Sequence, residues 1–98
     1  MENIIIKNIE DTDDGWRVYV VVGNRNYIVD VDKIYWQELT GENNDVKELV
    51  EKSFTFLLHH EPKESILPSF NLRVINQYFH DYEVKIKELL IKNTKSPD

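Results

Sequence analysis

Residues 45–61 repeat their apolar side chains at helical spacing. Val46, Leu49, Val50, Phe54, Leu57 and Leu58 recur three and four apart and fall on one stripe. Asp45 supplies an N-cap, Glu48 three residues later completes a capping-box start, and Pro62 stops the helix. A stripe of this width has to be buried, and 98 residues hold one core in which to bury it. The rest of the chain must therefore supply a matching surface. Only Ser53 interrupts the stripe, and Phe56 lies off it, so Phe56 has to meet a different element.

The matching surface is a sheet. Residues 16–22 and 25–31 are β-branched runs separated by Gly23-Asn24, which suits a two-residue hairpin turn with positive φ at the glycine. That register pairs Val22 with Arg25, Val20 with Tyr27, Val18 with Val29 and Trp16 with Val31. On the opposite face it pairs Tyr19 with Ile28 and Arg17 with Asp30, a charge pair beside an aromatic–aliphatic pair, as a consistent register should. The valine-rich face is the core face. The other one, with Arg17, Tyr19, Val21, Ile28 and Asp30, is more apolar than the solvated side of an antiparallel sheet needs to be. Its surplus is either sheltered by another piece of the chain or open to a partner.

Around this centre the chain reads in order. Residues 3–9 form a first strand whose facing is ambiguous, because Ile4 and Ile6 alternate against Ile5 and Ile9. Residues 10–15 form a solvated turn. Begun at Asp11, a calcium loop would put Gly15 fifth and Val22 twelfth, which breaks the EF-hand pattern. Residues 33–39 make one or two helical turns closed by Gly41, with Trp36 as an aromatic plug or an interface anchor. After Pro62 comes a short elbow that turns Ile66 and Leu67 inward. Asn71 caps a helix with Leu72, Ile75 and Phe79 on its core side, and Phe70 and Ile75 form its staple. A last helix, 82–92, carries Tyr82, Ile86, Leu89 and Leu90 on one stripe. Residues 1–92 are thus one α+β domain and 93–98 a flexible tail. The expected fold is a three-stranded antiparallel β-meander followed by a long helix and a C-terminal helical hairpin over 71–92, all packed on one sheet face.

Charge and composition narrow the function. The formal charge is −6, and residues 1–49 carry all of it, with eleven acids against five bases. A phosphate-tracking surface needs the opposite sign, so nucleic-acid binding is disfavoured. There is no cysteine, which removes thiolate chemistry and thiolate metal sites. Neither a secretory leader pattern nor a membrane-length apolar run is present, so a cytoplasmic protein without a membrane partner is expected. The serines sit in no nucleophile elbow, three glycines make no phosphate loop, and Asp13-Asp14 lies in an exposed turn. The expectation is therefore no catalytic residues, no enzyme and no cofactor. His59, His60 and His80 are the weak candidates for a metal, and adjacent helical histidines point about a hundred degrees apart.

The run Phe54-x-Phe56-Leu57-Leu58-x-x-Glu61-Pro62-Lys63-Glu64-Ser65-Ile66-Leu67, then Phe70-x-Leu72-x-Val74-Ile75-x-x-Tyr78-Phe79, resembles a family of short bacterial and archaeal proteins of uncharacterised function. Asp13-Asp14-Gly15-Trp16-Arg17-Val18 is similar too, so the resemblance covers most of the chain. This chain carries Phe79-His80-Asp81-Tyr82 where that family tends to carry Phe-Pro-Glu-Tyr. The resemblance implies an α+β domain and assigns no activity and no site residues. The function expected is a small non-catalytic module that binds a protein partner or forms a homodimer. Its contact residues would be Tyr19, Val21 and Ile28, extended by Trp36 or Phe56. The alternative is a regulatory nucleic-acid-binding protein using the C-terminal helices and their lysines, and a third reading is a metal-dependent enzyme.

Overall fold

In the computed structural model, which describes residues 3–93, the β-branched first third forms three antiparallel strands. They are β1 (Ile4–Thr12), β2 (Gly15–Val22) and β3 (Arg25–Asp32). The β2–β3 register is the expected one, from Val22 opposite Arg25 to Trp16 opposite Val31, and Gly23 turns the hairpin with φ 60°. Alternation then buries Val18, Val20, Val22, Tyr27, Val29 and Val31 on one face. Gly15 is needed where β2 starts, because a Cβ there would lie 1.9 Å from the Val31 carbonyl oxygen.

A bulge removes the ambiguity of the first strand. The β1–β2 register slips between Ile6 and Asn8, so Lys7 is an extra residue. Before the slip Ile4 and Ile6 pair with Val22 and Val20. After it Ile9 pairs with Val18, and all three isoleucines reach the core face. Ile5 alone is left on the outside, opposite Val21.

The sheet has a fourth strand that the sequence reading lacks. β4 (Ser69–Asn71) adds parallel to β3, giving the order β1-β2-β3-β4 and a mixed rather than purely antiparallel sheet. The Ile28 N–H donates to the Pro68 carbonyl and the Leu72 N–H donates to the Asp30 carbonyl, both at 2.9 Å. Three residues are too few for alternation to show, and Ser69 falls at the end of a stretch that reads as an elbow while Asn71 reads as a helix cap.

The helices lie on the valine face. α1 (Lys33–Thr40) ends at Gly41, which takes the left-handed conformation with φ 62°. α2 (Val46–His60) begins as expected, with the Asp45 carboxylate accepting the Glu48 N–H at 2.8 Å. A single 3-10 turn, Lys63–Ser65, leads into β4, and α3 (Val74–Tyr78) and α4 (Tyr82–Asn93) follow. Two details of the elbow differ from expectation. Asn71 belongs to β4 and its side chain accepts the Arg73 N–H, so it makes an Asx turn and the helix starts only at Val74. Leu67 is 48% exposed, while Ile66 alone turns inward. Of the expected tail, 93–98, Asn93 is the last residue of α4, and residues 94–98 lie outside the described residues.

Ser53, the polar break in the α2 stripe, has a partner. Its hydroxyl donates to the Leu49 carbonyl at 2.8 Å and lies 2.6 Å from the Tyr82 hydroxyl at the start of α4. A serine has one hydrogen to give, so Tyr82 is the donor to Ser53. Both residues are fully buried, and burial pushes the Tyr82 phenol pKa up. Ser53→Ala should cost about 1–3 kcal/mol in denaturant unfolding, because it strands a buried O–H. Tyr82→Phe should cost less, since it leaves only an acceptor unfilled. The double variant should cost less than the two single changes added, which a double-mutant cycle measures.

Candidate interaction surfaces

The outer face of the sheet is the first candidate. Across β1, β2 and β3 it presents Ile5 with Val21, then Asn8, Tyr19 and Ile28, then Glu10, Arg17 and Asp30. The β4 residues Ser69 and Asn71 extend the last two rows. Tyr19, Val21 and Ile28 are half-buried by one another and Ile5 is 50% exposed. Among the described residues no helix covers them. α2 lies on the Val18, Val20 and Val22 side through Leu49, Val50, Phe54 and Leu57, and the α4 stripe of Tyr82, Ile86 and Leu90 joins the same core. The structure therefore brings Tyr19, Val21 and Ile28 together on an open face and adds Ile5, whose facing required the bulge.

The polar groups of that face satisfy one another. The Tyr19 hydroxyl donates to Glu10 at 3.0 Å, and the Arg17 guanidinium pairs with Asp30 at 2.9 Å. The hydrogen bond to Glu10 holds the Tyr19 pKa above its ordinary value, with some help from desolvation. The bond to Asp30 does the same for Arg17. Exposed pairs of this kind add little stability.

Trp36 and Phe56 lie elsewhere and do not extend this surface. Trp36 is half-buried, donates its indole N–H to the Asn44 carbonyl at 2.8 Å and meets Trp16 edge-on at 5.3 Å, so it plugs one end of the core. Phe56 is only 5% exposed and packs against Phe79 and Tyr82. As an off-stripe residue it does meet another element, the α3–α4 corner, and for that reason it is unavailable to a partner. His60 stacks on Phe79 at 5.0 Å and lies 4.5 Å from Phe56, while His59 and His80 are exposed. Among the described residues no group of three or more His, Cys, Asp or Glu side chains is placed to hold a metal ion.

The C-terminal helices show how the would-be nucleic-acid contacts are used. Arg73 pairs with Asp32 at 2.7 Å and lies over the Tyr35 ring at 4.5 Å, so the fold itself engages it. α3 is five residues long, and the α4 residues Lys85 and Lys87 alternate with Glu83 and Glu88. Among the described residues no helix is long and apolar enough to cross a membrane.

A second concavity, absent from the sequence reading, lies at the elbow between the end of α2 and α3. It is an open cleft of about 240 Å³. Leu57, Ile66 and Ile75, each nearly buried, form its floor, and Leu67 and Tyr78, 48% and 69% exposed, stand at its rim. The Tyr27 hydroxyl donates to the Lys63 carbonyl and ties the elbow to the sheet. Among the described residues Glu61 is the one acid lining the cleft. Its carboxylate makes no hydrogen bond or ion pair with the described residues, and burial raises its pKa above 4.5 against a smaller opposing effect of His60. The sequence held one signal of this: Glu61 is the C-cap of α2, where the helix dipole disfavours an anion.

That placement has a stability consequence. A carboxyl whose pKa is raised on folding binds its proton more tightly in the folded chain, so it favours folding at pH below 4.5 and opposes it as pH rises through the folded value. Glu61→Gln should therefore melt at or above the wild-type temperature at pH 7, and the gap should close near pH 4 in thermal denaturation followed by circular dichroism.

No protein-family model matches the chain, and comparison with curated proteins and with solved structures likewise gives no match.

Proposed function

We propose that the protein is a small non-catalytic interaction module whose contact surface is the outer sheet face and whose occupant is a second copy of the chain. The observation that carries this reading is that Ile5, Tyr19, Val21 and Ile28 sit together on a face that no helix covers among the described residues. Half-buried apolar residues grouped with an exposed isoleucine on one uncovered sheet face are a contact surface rather than scattered surface noise.

The chemistry of the face favours a flat, apolar occupant. The Tyr19 hydroxyl already donates to Glu10 and the Arg17 Nε already pairs with Asp30, so both contacts are made within the face and its apolar rows carry the recognition. A second sheet offers such a surface, because two sheets pack face to face about 10 Å apart with strands nearly aligned. Three strands of eight or nine residues cover roughly 400 Å² at the usual strand spacing and rise. Counted over both copies that is about 800 Å², below the roughly 1,200–2,000 Å² of a stable specific interface, so the association is weak, with Kd on the order of 10 μM or above.

Sedimentation equilibrium over a concentration series tests this. The wild type should show a mass rising towards twice 11.7 kDa. The variant combining Tyr19→Ser and Ile28→Ser should stay monomeric with an unchanged circular dichroism spectrum. A wild-type chain that remains monomeric at millimolar concentration, or a dimer that survives both substitutions, overturns the proposal.

A further inference from the structure

The elbow cleft is a different kind of surface from the sheet face, and its shape and charge specify a different occupant. We infer that it is a second binding site, which takes a large apolar side chain of a protein partner together with a basic residue adjacent to it in the partner's sequence. This inference does not depend on association through the sheet.

Size argues for a side chain. Sites for cofactors and drug-sized molecules usually run to about 300–1,000 Å³, and this cleft holds about 240 Å³. It has room for one anchoring side chain. The rim extends the apolar surface beyond the cavity, because Leu67 and Tyr78 stay largely exposed on either side of it. A small free molecule would leave that rim uncovered, whereas a polypeptide that inserts one side chain also lays its backbone and neighbours across it.

Charge argues for a cation beside the anchor. Among the described residues, Glu61 is, besides the Tyr78 phenol, the only titratable group lining the cleft, and no cation lines it. The nearby Lys63 ammonium is engaged with Glu64 at 3.4 Å. Glu61 is partly desolvated, lacks a side-chain partner among the described residues and stands at the carbonyl end of α2, three circumstances that each disfavour its charge. A lysine or arginine brought over it supplies the missing partner and offsets the cost of its charge by attraction, and an acidic segment would add repulsion. The chain's formal charge of −6 acts in the same direction, drawing basic segments and repelling acidic ones.

The test uses the full chain and three capped dipeptides, acetyl-Leu-Arg-amide, acetyl-Leu-Glu-amide and acetyl-Ala-Arg-amide, titrated at millimolar concentration into ¹⁵N-labelled protein. Leu-Arg should give saturable amide shifts confined to residues 57–67 and 74–79. Leu-Glu and Ala-Arg should each bind about tenfold more weakly, a difference of about 1.4 kcal/mol. Glu61→Gln should remove the preference for Leu-Arg over Leu-Glu while keeping Leu-Arg above Ala-Arg. Leu67→Ser with Tyr78→Ser, both at the exposed rim, should weaken every peptide without unfolding the chain. Equal shifts for Leu-Arg and Leu-Glu, shifts centred outside the cleft, or no saturable response overturn the inference. The Tyr19→Ser, Ile28→Ser variant should respond like the wild type, so failure at the cleft and failure at the sheet are read separately.

Discussion

The α2 stripe and the valine face of the sheet can be buried only against each other. Leu49, Val50, Phe54 and Leu57 have nowhere else to go in a domain with one core, and Val18, Val20, Val22 and Val29 present the complementary surface. Fully burying such side chains is worth on the order of 1.5–3 kcal/mol each, more than any surface pair in the molecule contributes. Other features follow from this contact. α4 has to close over the flank of α2 that Phe56 opens, and Tyr82 can be buried there without a stranded O–H because Ser53 accepts its hydrogen bond. The polar break in an otherwise greasy stripe is therefore a docking point for the last helix.

Burying one face so fully fixes the character of the other. All the helices lie on the valine side, so the surplus of Tyr19, Val21 and Ile28 is left outside, where the two residues opposite Arg17 bond to that face: Asp30 to Arg17 itself and Glu10 to Tyr19. The elbow cleft arises from a separate circumstance. α3 is too short and β4 too near the sheet edge to close the space beyond the end of α2, and an acid sits at the lip of what remains. The two surfaces differ in what they ask of a partner, one for a flat apolar area and the other for a single anchored side chain with a cation.

Features with strong periodicity were legible in the sequence. The β2–β3 register could be read because Gly23-Asn24 fixes the turn and the charge pair Arg17–Asp30 checks it. The start of α2 could be read because Asp45 and Glu48 state it. What escaped was short or broke its own period. The bulge at Lys7 inverts the facing of everything after it, and no alternation rule reveals an inserted residue. β4 owes its existence to Ile28 and Asp30, which are some forty residues away, and Asn71 looked like a helix cap because its side chain does bind a following N–H. At the sites, Tyr19, Val21 and Ile28 were legible from the unequal faces of one hairpin. Ile5 and the cleft were not, since the first needs the bulge and the second needs α2, the elbow and α3 in place together.

The inserted Lys7 has an effect beyond turning Ile9 inward. β1 lies at the end of the sheet, and a long straight strand there would offer an unpaired ladder of N–H and C=O groups to any neighbouring chain. A kink in the middle of that ladder, marked by a lysine, spoils its spacing as a template, and at the far end β4 occupies part of the β3 edge. Strand-by-strand growth into fibres is thus obstructed at both margins, which channels any encounter between copies towards the broad side of the sheet.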